Sequence, residues 1–143
     1  MCVYNRRKIV VLAGCGVVSL LSCPPLAIAL SEQEKLFIAE AVRMKDQAMA
    51  SGDQPFGAVV VRSGEIIGYG PSRVIIDRNP DAHAERVALW DAQRRLGTKD
   101  ISGAVMYSTS RPCDTCENAL ALGKVDRMYF GLSAIDAGIP KRW

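Results

Sequence analysis

The chain has 143 residues, 49% of them hydrophobic and 23% charged, with a formal net charge of +3. That length holds a single core, since chains divide into domains only beyond roughly 250 residues, and a mixed composition with no repeat or low-complexity run excludes a disordered chain and a solenoid. The charge is unevenly placed: Arg6, Arg7 and Lys8 sit near the N-terminus, the first acidic residue is Glu32, and from Leu30 onward 15 basic residues face 15 acidic ones. A body so balanced lacks the basic footprint of a nucleic-acid binder.

After the basic cluster comes a 13-residue apolar run, IVVLAGCGVVSLL over residues 9–21, and SCPPLAIA then offers small residues at Ala27 and Ala29. Charged, apolar and small-residue regions in that order are the pattern of a secretory signal peptide. The expectation is a leader over residues 1–29, cleaved after Ala29, with residues 30–143 exported as the mature domain. Leu20-Leu21-Ser22-Cys23 also resembles a lipoprotein cleavage box, which would leave Cys23 lipidated, and Asn5-Arg6-Arg7-Lys8-Ile9-Val10 resembles the start of a twin-arginine signal. A buried N-terminal helix, or an uncleaved anchor reaching from Ile9 to Ser31, are the competing readings. Three of the five cysteines, Cys2, Cys15 and Cys23, fall in this segment, so the body keeps only Cys113 and Cys116. On its own such a C-x-x-C pair fits a redox motif, a disulfide or half of a metal site.

The body opens with Ser31-Glu32-Gln33-Glu34, a capping box in which a hydroxyl and a carboxylate satisfy free backbone groups at a helix start. Phe37, Ala41, Met44 and Ala48 follow at helical spacing, and Gly52 is placed to end a helix that runs to about Ser51. FGAVVV, a Ser63-Gly64 turn and EIIGYG read as a β-hairpin. After a loop containing Pro71 and Pro80, residues 83–96 read as a helix anchored by Val87, Leu89, Trp90 and Leu96. AVMYST, residues 104–109, reads as a strand, the segment from Cys113 to Leu122 as a helix stopped at Gly123, and RMYFG as a short strand. The order α-β-β-α-β-α-β predicts a mixed sheet covered by helices.

Two strings carry chemistry: His83-Ala84-Glu85 and Pro112-Cys113-Asp114-Thr115-Cys116, each opening a predicted helix. Catalytic zinc takes three protein ligands and leaves a fourth position for water, and one imidazole with two thiolates is an accepted set. Helix N-termini carry partial positive charge that favours the thiolate a metal needs. His83 is the only histidine of the chain and Cys113 and Cys116 the only body cysteines, so every scarce zinc-binding residue falls into one pattern. One Zn2+ per chain is therefore expected on His83, Cys113 and Cys116. Glu85, two residues from His83, can line the same cavity as a proton carrier. A structural zinc or a redox pair is the alternative reading of the same residues.

On these motifs the body, from about Leu36 to Asp136, resembles the cytidine deaminase-like superfamily, and within it the guanine, cytosine and tRNA-adenosine deaminase branch. Gln54-Pro55-Phe56-Gly57-Ala58-Val59-Val60-Val61 is similar to the first strand of those enzymes, Asn79-Pro80-Asp81-Ala82-His83-Ala84-Glu85 to their first zinc motif, and Tyr107-Ser108-Thr109 to their third strand. The resemblance implies a three-layer α/β/α sandwich around a five-stranded mixed sheet, a bound zinc, and hydrolysis of an amino group on a nucleobase ring to a carbonyl with release of ammonia. It implies that Phe56 and the Pro112 region wall the pocket and that the Ala84 amide helps hold the base. The base-binding Asn of the family falls at Ser72 here, and Asp114 matches the cytosine deaminase form of the Pro-Cys motif. Relatives continue into a fifth strand and a C-terminal helix, where this sequence reaches Trp143 soon after its fourth strand. The resemblance also implies a homodimer through the helix of the Pro-Cys motif.

The resulting expectation is an exported hydrolase acting on a small nucleobase or nucleoside of the guanine, cytosine or adenine type, with the balanced charge arguing against nucleic acid. A tRNA-specific adenosine deaminase, and a catalytically lapsed, zinc-stabilised binding domain, are the alternatives.

Overall fold

A computed structural model describes residues 29–143, so residues 1–28 of the expected leader, with Cys23, lie outside the described residues. Three helices, α1 (Glu32–Ala50), α2 (Ala84–Leu96) and α3 (Asp114–Leu122), are threaded among five strands: β1 (Gly57–Arg62), β2 (Glu65–Pro71), β3 (Ala104–Ser108), β4 (Arg127–Phe130) and β5 (Ile135–Gly138). Among the described residues no helix is long and apolar enough to cross a membrane. The sheet order is β2-β1-β3-β4-β5. β1 runs antiparallel to both β2 and β3, β3 and β4 are parallel, and β5 returns antiparallel to β4. A parallel pair needs a crossover connection, and between β3 and β4 that connection is α3.

The capping box forms as the sequence predicts, with the Glu34 amide donating to Ser31 Oγ at 3.2 Å and the Ser31 amide to Glu34 Oε2 at 2.8 Å. In the hairpin turn Ser63 and Gly64 both take positive φ, 53° and 79°, the backbone that matches the right-handed twist of the flanking strands. β1 is apolar at successive positions because it is buried on both faces. Ala58 and Val60 pack with Met106 and Met128 beneath Ala88, Leu89 and Leu120 of α2 and α3. Val59 and Val61 pack with Tyr107 beneath Phe37, Ile38, Ala41 and Met44 of α1. These are the three layers of an α/β/α sandwich.

The contact that positions α2 is a backbone approach. A Cβ at Gly70 would lie 2.0 Å from the Ala84 carbonyl oxygen, and one at Gly68 would lie 2.3 Å from that of Ala88. With Ala88 and Ala92 facing them, the two glycines let α2 rest directly on β2, which fixes where its first residue emerges. Gly57 pairs with Pro71, Ala58 with Ser108, and Ser108 with Phe130, so these four strand ends share one end of the sheet, where α2 and α3 also begin.

The structure corrects the sequence reading at β5. The fifth strand does form, through Ile135, Asp136, Ala137 and Gly138, and Arg127 of β4 pairs with Asp136 at 2.8 Å across it. Asp, Ala and Gly are poor strand formers, so the segment carries no local signal. It is extended because β4 offers an open edge.

Candidate metal centre

His83 is the N-cap residue of α2 and Cys113 that of α3, and neither side chain makes the capping hydrogen bond usual there. Both side chains instead turn toward one point. Cys116 stands three residues into α3, the spacing that brings N-cap and N3 groups to the same side of a helix start. The three donor atoms lie within 4.8 Å of one another, with Cys113 Sγ 3.6 Å and Cys116 Sγ 3.5 Å from His83 Nδ1. A tetrahedral zinc with bonds of about 2.3 Å to sulfur and about 2.05 Å to nitrogen places sulfur and nitrogen ~3.6 Å apart, so the donors already stand at the spacing the ion requires.

Without the ion, the surroundings favour the thiolate at Cys113 and oppose it at Cys116. Burial acts to raise the Cys113 thiol, but hydrogen bonds from the Thr115 hydroxyl, the Cys116 amide and thiol, and His83 outweigh it and bring Cys113 down to about 7. Cys116 is fully buried, and burial, with the Glu85 carboxylate nearby, pushes its thiol up, whereas the Arg86 charge works in the opposite direction. Arg86 pairs with Asp81 at 2.8 Å and lies over the Trp90 ring, yet its buried Nε has no hydrogen-bond partner among the described residues. A cation with a spare donor beside the cysteines fits a centre that gathers two negative sulfurs.

Glu85 is buried in the first turn of α2, and the Ser108 hydroxyl at the end of β3 donates to its Oε1 at 2.8 Å. It lines a cavity of about 180 Å³ with Gln54, Phe56, His83, Ala84, Ser110, Arg111 and Cys113. The arrangement brings a three-ligand metal position, a buried carboxylate with a fixed orientation and an aromatic wall around one small space.

Of the site residues read from the sequence, His83, Cys113, Cys116, Glu85, Phe56 and Ala84 are brought together here. Asp114 is the exposed first residue of α3 and does not line the cavity. Ser72 does not line it either: it is 1% exposed and its hydroxyl donates to Asp53 Oδ1 at 2.9 Å. That hydroxyl is committed to a buried carboxylate and is not free for a base. Sequence reasoning missed Ser108, Gln54, Ser110, Arg111 and Asp53. In the sequence Gln54 and Ser108 stand only within strings similar to the family's first and third strands.

The fold and the site define an α/β/α domain with a three-donor metal position whose ligands sit at two helix starts. Residues 31–132 match the cytidine and deoxycytidylate deaminase zinc-binding region, and the chain belongs to that family. Zinc is the metal of the family, and His83, Cys113 and Cys116 can form a zinc site. The sequence is 38% identical to a tRNA-specific adenosine deaminase of Aquifex aeolicus over 103 residues, covering 72% of this chain and 67% of that protein. It is 30% identical to a guanine deaminase of Bacillus subtilis, covering 71% and 65%. A structure from a study of A-to-I editing by tRNA:A34 deaminases superposes with a TM-score of 0.66 at 28% identity, covering 68% of this chain and 75% of that one. The chain thus spans about two thirds of the length of these curated relatives.

Proposed function

We propose that this protein is a zinc-dependent hydrolytic deaminase that converts an exocyclic amino group of a nucleobase or nucleoside to a carbonyl and releases ammonia. The observation that carries the reading is the convergence of the His83, Cys113 and Cys116 donors with the buried Glu85 carboxylate on one cavity. Held by His83, Cys113 and Cys116, a zinc ion would lower the pKa of a bound water and so supply a nucleophile at neutral pH. Glu85, oriented by Ser108, takes one proton from water as the oxygen adds to the ring carbon and passes it to the ring nitrogen, then takes the second from the resulting hydroxyl and passes it to the departing amine. The C–N bond breaks, a C=O bond forms, and the products are the keto base and ammonia. Phe56 offers a face for the ring, and the Ala84 amide at the start of α2 donates to it.

The cavity favours a small substrate, because about 180 Å³ is below the roughly 300–1,000 Å³ of sites that enclose drug-sized ligands. The names of several relatives favour a second reading, adenosine within tRNA. Ammonia release from zinc-loaded protein, measured on free bases, nucleosides and tRNA, separates the two. Activity on bases or nucleosides with little salt dependence is expected; activity confined to tRNA, with binding that falls steeply as salt rises, favours the second. Stoichiometric zinc with no turnover on any of the three identifies a lapsed binding domain.

We further propose that residues 1–29 export the protein, on the strength of their charged, apolar and small-residue order, and that the domain works as a homodimer. Protein recovered from the cell envelope should begin at Leu30, or at a lipid-modified Cys23. Soluble cytoplasmic protein with intact Met1 overturns the export reading, and a monomer by light scattering overturns the dimer.

A further inference from the structure

We propose that the base is read by the side chain of Gln54, in a role that Ser72 cannot take. The proposal rests on the deaminase reading for its substrate and adds the group that recognises it. Ser72 is withdrawn from the site by Asp53, whose buried carboxylate gathers four donors. The Ser72 hydroxyl and the Gln54 amide reach Oδ1 at 2.9 and 2.8 Å, and the Ile75 and Ile76 amides reach Oδ2 at 2.9 Å each. The same carboxylate fixes the main chain of Gln54, whose carbonyl accepts from the Phe56 amide at 2.8 Å, and the Phe56 carbonyl accepts from the Ser72 amide at 3.1 Å. The loop carrying Gln54 and Phe56 is thereby fastened to the loop that leads to His83.

The Gln54 side chain takes part in no hydrogen bond within the described residues, and it lines the cavity beside Phe56, His83 and Glu85. A carboxamide presents a donor and an acceptor side by side, which pair with the adjacent acceptor and donor on the edge of a purine or pyrimidine. The ligand class is accordingly a free heterocyclic base whose reacting amino group faces Glu85 and whose other polar edge faces Gln54. Losing such a pair leaves base groups unsatisfied and weakens binding by roughly 10- to 100-fold.

The test uses the full zinc-loaded chain carrying Glu85→Gln, so that ligands bind without turnover, and titrates adenine, guanine, cytosine and their nucleosides by calorimetry. Adding Gln54→Ala should weaken the best-bound base by roughly 10- to 100-fold with zinc content unchanged. Gln54→Glu, which exchanges a donor for an acceptor, should reorder the panel. Ser72→Ala should leave affinity within about twofold, far short of the loss of a recognition hydrogen bond, while lowering Tm by removing one of the four donors to Asp53. Unchanged affinity in Gln54→Ala overturns the proposal, as does a loss in Ser72→Ala equal to that in Gln54→Ala, or a parent that binds none of the panel. Ammonia release by the Glu85 form is scored separately. If that form binds a base through Gln54 but releases no ammonia, the deaminase reading fails and the recognition role stands.

Discussion

Glu85 and Cys113 line one cavity and make opposite demands on a zinc assay. Glu85→Gln preserves shape and removes the titrating group, so zinc should stay near one per chain while turnover falls by about 10²- to 10⁴-fold. Cys113→Ser removes a ligand that also ties α3 to α2, so zinc, Tm and activity should fall together. Zinc content, melting curves and ammonia release on the two variants decide the matter; a folded Glu85→Gln chain that sheds its zinc would make Glu85 a ligand. These residues were legible in the sequence because the metal restricts ligand types and the helix starts restrict spacing. Ser108 was not, since a serine at a strand end is ordinary and its partner lies 23 positions away. Ser72 was read by position alone, whereas what it does is decided by Asp53, 19 residues earlier.

At the scale of elements, the contact between β2 and α2 controls the site more than any loop does. Gly70→Ala drives a methyl into backbone that cannot rotate away, so it should cost at least the ~1–3 kcal/mol usual for overpacking. Because α2 must lift to admit it, zinc affinity should fall with Tm. A Gly70→Ala protein with parental Tm and zinc content would mean that α2 is not seated as described. The helices and first four strands were legible from capping, periodicity and turn residues, within a residue or two of their bounds. β5 was not, because its pairing comes from the edge of β4 rather than from its own sequence. The glycines of β2 looked like ordinary interruptions of a strand; only the packed structure reveals them as the surface on which a helix rests.

For the molecule as a whole, Asp53 is a buried source of acid sensitivity, beside the more exposed carboxyls of Glu34, Asp77, Asp100 and Asp136 that are also held low. Burial acts to raise its carboxyl, but donation from the Ile76, Gln54 and Ile75 amides and the Ser72 hydroxyl outweighs burial and holds it below its ordinary value of 3.8. A carboxyl depressed in the folded state contributes its stability in full above the unfolded pKa, and loses it as pH falls through that value toward the folded one. Asp53→Asn should lower Tm at pH 7, since an amide cannot accept all four donors, and should flatten the decline of Tm between about pH 5 and pH 3. A variant whose Tm falls with acid as steeply as the parent's would assign the acid limb to other carboxyls.

The shared end of the sheet has a counterpart at its other end. Arg62 pairs with Glu65 and Ala104, and Val105 with Arg127, so the Ser63-Gly64 turn and the connections entering β3 and β4 all lie a full strand length from the metal ligands. Among the described residues, none of the metal donors or cavity-lining side chains is anchored there. A foreign peptide spliced between Ser63 and Gly64 should leave zinc content and turnover at parental levels, which can be checked on a single purified insertion protein. That turn is then a handle by which the catalyst can be fixed to a solid support with its mouth facing the solution.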